Sequence, residues 1–375
     1  MGKAILAFAD GTVFSGFAFG AKTTKIGKAA FNSAVMGYQE LISDPASAGQ
    51  IMVLTAVEVG NYGVNKADAE SGKVWIEGLA LMRNSSIVSN WRSEGSLNDY
   101  LIQNGVPGIE GLDTRAIAMK IVRDGAMGAC LSTEDISEEK AVELAKSWDG
   151  LKGKNFAAAA SCKKAFKFDD SNIEPFSVDG TDIYKTSRKT PLKKCAVIDL
   201  GAANSVLQHL AYNGFDLQVF PMGATAAEIE KSAPDCVFVS SGAGDPADLG
   251  GVVETIKALR KKFAVLGMGL GHIAIALANG AKARELKFGR KNGQPVKDVA
   301  ADLVRVSAHN TDFVVDEKSV GGAGLEITHI NLDDKSIEGL KGNNTMSVLF
   351  YPEATKGPQN TDSVYEAFYK FVAAK

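Results

Sequence analysis

Four apolar runs decide the fold of the second half of the chain: CAVIDL (195–200), DLQVFP (216–221), CVFVSS (236–241) and FAVLGM (263–268). The segments after them have helical spacing and predict helices around 203–212, 226–232 and 252–261 and from about 272 onward. This alternation predicts a parallel sheet with helices on both faces. In such sheets the ligand crevice lies at the carboxyl ends of the strands.

The first half of the chain has a different sequence pattern. Short β-like runs lie between Gly, Asn and Asp residues, and helical stretches fall near 113–124 and 137–147. We therefore predict a mixed α/β domain over 1–150, a polar linker over 151–192 and a second domain over 193–375. In the final helical stretch, the apolar stripe of Val364, Phe368 and Phe371 is predicted to pack into the core.

Composition narrows the classes of function. The net charge of -3 across 375 residues argues against nucleic acid or an anionic membrane as a partner. No apolar run approaches the roughly 20 residues of a membrane span, so a soluble, cytoplasmic protein is expected. The four cysteines lack metal-binding spacing, and GMGLGH (267–272) matches a dinucleotide motif only loosely, so we predict neither metal nor cofactor.

Longer motifs resemble a known family. The N-terminal half carries FNSAVMGYQE (31–40), GNYGVN (60–65), SNWR (89–92) and GIEGLDTRAI (108–117), which resemble the carbamoyl-phosphate synthetase small subunit. The C-terminal half carries SSGAGDP (240–246), GMGLGH (267–272) and PEATKGP (352–358), which resemble the class I glutamine amidotransferase domain fused to it. The resemblance implies a mixed α/β N-terminal domain followed by an amidotransferase domain with a mostly parallel central sheet.

In that family, a cysteine at a strand-to-helix turn hydrolyses glutamine with the help of a histidine and a glutamate, and the ammonia passes to a large ATP-using subunit. The thiolate is the nucleophile, the imidazole lowers the pKa of the thiol, and the carboxylate orients the ring. The resemblance therefore implies that the partner is a large synthetase subunit, with self-association as the alternative.

The catalytic positions depart from this pattern. Gly269 stands where the family has its cysteine and Tyr351 where it has its histidine, whereas Glu353 is retained. A phenol with an ordinary pKa near 10 is a poor base at neutral pH. We predict that the Tyr351 ring lies over Gly269 and fills the vacated volume.

The resemblance also assigns a set of glutamine-binding positions: Ala46, Gly242, Gly244, Leu270, Ile273, Asn310, Asp312 and Phe313. Among them Ala46 replaces a serine, Ile273 a glutamine and Asp312 a glycine, and the Asp312 carboxylate is expected to repel the substrate's carboxylate. Gly242, Gly244 and the N–H of Leu270 suit an oxyanion-stabilising loop, but glycines in such loops equally serve tight turns.

Two functions remain open from the sequence. The first is a small-subunit homologue without glutaminase chemistry, acting as a binding, scaffold or assembly protein. The alternative is a small subunit that still supports a large subunit, with residual or altered glutamine hydrolysis. The histidines at 209, 272, 309 and 329 do not form a recognisable replacement triad, although the sequence leaves a hidden one open.

Overall fold

The N-terminal domain is a closed barrel. The computed structural model describes residues 2–169, 177–178, 181–182, 191–352 and 362–375. The barrel strands are β1 (Lys3–Phe8), β2 (Val13–Gly20), β3 (Thr24–Asn32), β4 (Gln50–Leu54), β5 (Gly78–Ala80), β6 (Pro107–Glu110) and β7 (Gly128–Ser132). Their order around the barrel is β1-β2-β6-β5-β4-β3-β7, and β7 closes it by pairing antiparallel with both β1 and β3.

Helices α1 (Tyr38–Ser43), α2 (Leu97–Gln103) and α3 (Thr114–Asp124) lie in connections between the barrel strands, and α4 (Glu138–Lys146) follows β7. The Asp113 side chain accepts a hydrogen bond from the N–H of Ala116 and so caps α3, while Gly125 ends it with φ 98°. Both helices predicted from the sequence near 113–124 and 137–147 are confirmed.

Part of the predicted linker has regular structure. It contains α5 (Phe156–Ala160) and the short strands β8 (Phe166–Lys167), β9 (Ser177–Val178) and β10 (Thr181–Asp182). Ala157 of α5 is buried in the core of the second domain, and β8 pairs with a strand of its main sheet. The described residues of this stretch bury few apolar side chains and so give little periodic signal, which is why its composition resembles a linker.

The second domain is built on a ten-stranded sheet. Its strands are β8, β11 (Lys193–Leu200), β12 (Phe215–Pro221), β13 (Cys236–Gly242), β14 (Ala264–Met268), β16 (Gln294–Asp298), β17 (Leu303–Ser307), β19 (Glu326–Asn331), β20 (Ile337–Lys341) and β21 (Thr345–Val348). The central strands run parallel in the order β21-β14-β13-β11-β12, and the outer strands are antiparallel. A separate pair is formed by β15 (Ala283–Arg290) and β18 (Thr311–Val315).

Helices cover both faces of the sheet: α6 (Asn204–Tyr212), α7 (Ala226–Glu230), α8 (Gly250–Leu259), α9 (Leu270–Ala278), α10 (Glu317–Val320) and α11 (Asp362–Ala373). One face packs against α6 and α11, including the predicted core residues Val364 and Phe368. The other packs against α8 and α9. Within the described ranges, no helix has both the length and the apolar character that crossing a bilayer requires.

The two domains are joined by polar contacts beside the crevice. Glu70 of the first domain is buried, and its carboxylate accepts hydrogen bonds from the N–H and hydroxyl of Ser205 at 2.9 and 2.8 Å. These groups belong to the first turn of α6, where a carboxylate also interacts favourably with the helix dipole. The first domain thus supplies a cap for a helix of the second.

Candidate active site

A sharp turn joins the central strand β14 to α9. Gly269 lies between them with φ 55° and ψ -119°, and its N–H donates to the carbonyl of Val348 at 3.0 Å. This positive-φ conformation is strained for any residue with a Cβ. The elbow geometry of a nucleophile turn is therefore present, but the residue at its tip has no side chain.

Tyr351 closes this position. Its N–H donates to the carbonyl of Ala308 at 2.9 Å, and only 2% of the residue is exposed. A Cβ built on Gly269 would lie 3.7 Å from the Tyr351 hydroxyl and 3.2 Å from the Cβ of Ser241. The Tyr351 hydroxyl therefore lies close to Gly269, which is itself buried; that the ring covers Gly269 stays a prediction.

The loop after β13 forms another wall of the site. A Cβ on Gly242 would meet the carbonyl oxygen of Leu200 at 2.1 Å, so glycine is required there by packing. Gly244 has φ 117°, and Leu270 is buried in the cluster against α8. Sequence reasoning missed Ser241, whose position beside the elbow depends on the pairing of β13 with β14. Its hydroxyl has no hydrogen-bond partner among the described residues.

Asp312, which the sequence predicts to repel the substrate's carboxylate, does not present a bare carboxylate. Its oxygens contact the Lys291 and Lys28 ammonium groups at 3.0 and 3.2 Å. Burial favours a raised pKa for Asp312, but the two lysines outweigh burial and lower it. Both lysines are buried, Lys28 in β3 and Lys291 just after β15. Neither carries a local sequence signal, so their convergence could not be predicted.

The pKa values of Lys28 and Lys291 shift in opposite directions. Burial lowers the pKa of Lys291, and the like charge of Lys28 adds to this effect. Lys28 also contacts Glu285 at 3.1 Å, and its two carboxylate partners outweigh burial and raise its pKa. This cluster of two lysines and two carboxylates therefore joins the barrel to the second domain, and its charges nearly cancel.

The other predicted binding positions are distributed around the crevice. Ala46 is buried in the turn Pro45–Ser47, where Ser47 accepts a hydrogen bond from the side-chain amide of Asn310 at 3.0 Å. Ile273 is fully buried in an apolar cluster of the second domain, and Phe313 is half-buried in β18. Glu353 lies outside the described residues.

The histidines nearest the elbow are engaged elsewhere. His272 is fully buried, and its Nδ1 lies 2.9 Å from the hydroxyl of Ser347. Burial lowers the pKa of His272 to about 4, so the ring is neutral at pH 7. His309 bonds to Ser307 and Glu338. Among the described residues, no group of three or more His, Cys, Asp or Glu side chains is placed to hold a metal ion.

Comparison with known proteins identifies the family. The model of the carbamoyl-phosphate synthase small chain, CPSase domain, matches residues 6–131, and the class-I glutamine amidotransferase model matches residues 196–371. The carbamoyl phosphate synthase small chain of Akkermansia muciniphila is 38% identical over 99% of this chain and 98% of its own. The chain belongs to the carbamoyl phosphate synthase small chain family.

The small chain family extends across distant organisms. The chloroplastic carbamoyl phosphate synthase small chain of Arabidopsis thaliana is 36% identical over 99% of this chain and 85% of its own length. The solved glutaminase domain of the Trypanosoma brucei protein CTPS, with bound acivicin, aligns with 49% of this chain and 95% of its own at a TM-score of 0.39 and 15% identity. Membership of the small chain family confirms the resemblance read from the motifs.

Proposed function

We propose that this small chain is a non-catalytic member of its family, a binding, scaffold or assembly protein that does not hydrolyse glutamine. The observation that carries the proposal is the elbow: Gly269 offers no nucleophile, and Tyr351 covers the position from which one would act. Thiol-based hydrolysis requires a thiolate and a nearby base. A glycine supplies no thiolate, and a phenol with an ordinary pKa near 10 is a poor base at neutral pH.

The enclosure of the site supports the same proposal. Gly269, Ser241 and Gly242 are all buried, so a substrate carbonyl does not reach this point in the present arrangement. A binding pocket normally receives its ligand in a preformed cavity. The tight contacts around the elbow are instead typical of a packed core.

Protein contacts are the function we infer in place of catalysis. The partner that fits the family is a large synthetase subunit using free ammonia, and a second copy of this chain is the alternative. A chain with a net charge of -3 and ordinary globular composition suits a protein partner better than a polyanion. We also infer that the protein resides in the cytoplasm.

A second candidate function has one observation in its favour. The Ser241 hydroxyl and the side-chain carbonyl oxygen of Asn310 are buried without hydrogen-bond partners among the described residues. Buried polar atoms of this kind usually have partners, and a bound ligand is one way to supply them. This favours a small chain that still binds glutamine, with residual or altered hydrolysis, and that supports a large subunit.

Ammonia release separates the two functions. Purified protein is given glutamine with and without a large subunit, beside an active small chain as positive control. We expect no ammonia above background in either case, and no covalent adduct with an electrophilic glutamine analogue. Steady turnover, or an adduct on any residue, would overturn the non-catalytic assignment.

Partner and ligand are measured separately. Capture of the tagged protein from native extract, followed by identification of the co-purifying chains, distinguishes self-association from binding to a large subunit. Titration calorimetry with glutamine tests the second candidate, because binding without turnover would show that the crevice still admits the substrate. If glutamine is neither bound nor hydrolysed, the role in protein contacts is the proposed function that remains.

A further inference from the structure

The segment that carries Tyr351 is held between two neighbours. The N–H of Leu349 donates to the carbonyl of Glu338 at 2.8 Å, and the N–H of Tyr351 donates to the carbonyl of Ala308 at 2.9 Å. Phe350 lies between these two attachment points. The position of the phenol over Gly269 therefore depends on how firmly residues 308 and 338 are held relative to each other.

A buried hydrogen bond joins these flanking segments. His309 Nε2 lies 2.8 Å from the Oε2 of Glu338, and both side chains are fully buried, with 0% exposed. His309 Nδ1 lies 2.9 Å from the carbonyl oxygen of Ser307. Both ring nitrogens therefore face oxygen atoms, and the ring is held at both ends. The ring centroids of His309 and Phe350 lie 6.3 Å apart, so the imidazole packs near the residue that precedes Tyr351.

Further hydrogen bonds fix the carboxylate end of this pair. Glu338 Oε1 accepts from Arg290 Nη1 at 2.6 Å and from the Asn331 side-chain amide at 3.1 Å. Arg290 also donates to Ser336 at 2.6 Å and to Asp334. Burial favours a raised pKa for Glu338, but His309 and Arg290 outweigh burial and lower it, so Glu338 is ionised at neutral pH.

We propose that Arg290, His309 and Glu338 form a clamp that keeps the crevice shut by holding Tyr351 against Gly269. The next residue, Asn310, donates to Ser47 of the first domain, so the same short segment also contributes to the contact between the domains. Removing a hydrogen-bond partner of the buried Glu338 carboxylate leaves that charge less well compensated, which destabilises the local structure. The clamp acts whether or not the chain hydrolyses glutamine.

Chemical access to Tyr351 tests the clamp. Nitration of Tyr351 is followed by peptide mass spectrometry, with fully buried Tyr365 of α11 as an internal reference. We expect His309→Ala to raise the nitration rate of Tyr351 at least about tenfold. A tenfold rise corresponds to a loss of about 1.4 kcal/mol in the free energy that favours the closed position of Tyr351. The rate for Tyr365 should stay unchanged.

Two further variants sharpen the test. Lys120→Ala removes a buried cation that pairs with Asp10 and Asp124 within the first domain, and it should leave Tyr351 protected. Glu338→Gln keeps the shape of the side chain and removes its charge, so it tests the charge even where an alanine variant fails to fold. We expect Tyr351 to become more accessible in Glu338→Gln than in Lys120→Ala.

The double variant His309→Ala/Glu338→Ala should nitrate no faster than the faster single variant, because both substitutions break one link. The clamp is refuted if His309→Ala and Lys120→Ala expose Tyr351 equally. A parallel rise at Tyr351 and Tyr365 would also overturn it, since the loss would then be global and not local to the crevice.

Discussion

Placing a side chain at the elbow should destabilise the protein. Gly269→Ala puts a Cβ on a residue with φ 55° and ψ -119°, and that Cβ would lie 3.2 Å from the Cβ and 3.4 Å from the Cα of Ser241. Backbone strain of this kind costs about 1–3 kcal/mol. Because the contacts with Ser241 are tighter than ordinary van der Waals separations, we expect the free energy of unfolding to fall by about 2 kcal/mol or more.

Urea denaturation measures this loss, and Gly11→Ala is the matched control. Gly11 also has a positive φ, 93°, but a Cβ there meets nothing within 4 Å, so this variant reports strain without the contact. We expect Gly269→Ala to lose more stability than Gly11→Ala. A Gly269→Ala protein as stable as the parent would refute our account of the elbow. Gly269→Cys should lose similar stability and release no ammonia from glutamine, since the new thiol would lack an imidazole.

Three other outcomes are expected in the same denaturation assay. Restoring the family residue with Asp312→Gly should destabilise by about 3 kcal/mol or more, because two buried lysines lose their shared carboxylate; unchanged stability would contradict the ion cluster. Burial lowers the pKa of His209 and of His272 to about 4, so the unfolded chain binds more protons between pH 6.5 and 4. Stability should therefore fall as the pH drops through that window, by about 3 kcal/mol for each histidine, and a pH profile of His272→Gln should be flatter. Gly251→Ala should stabilise by about 0.5–1 kcal/mol, because Gly251 lies in α8 with open space around it, and a loss of stability would contradict this.

The fold of the second domain could be predicted because its central strands are continuous apolar runs. Cys195 and Cys236 begin two such apolar runs, and both are buried next to each other in the sheet. The closure of the N-terminal barrel could not be predicted in the same way. It depends on β7 pairing with both β1 and β3, and pairings between strands so far apart in the chain leave no local pattern.

The candidate site could likewise be predicted only in part. Motifs identify Gly269 and Tyr351, and their contact follows from the need to refill a vacated volume. The partners of Asp312 and His309 could not be predicted, because Lys28, Lys291 and Glu338 lie in other elements and carry no signal of their own. The sequence shows the charge of Asp312 but not the two lysines that pair with it.

These partners explain why restoring single residues is not expected to revive hydrolysis. A thiol at position 269 would lie beneath Tyr351, and a glycine at position 312 would leave two lysines facing each other. Changes at residues in contact do not add independently, because each substitution alters what the next one meets. Gly269→Cys with Tyr351→His should therefore regain a nucleophile and a base but still release little ammonia, as long as Ile273 and the cluster around Asp312 remain. Full turnover by that double variant would show that the crevice needs only its two catalytic side chains.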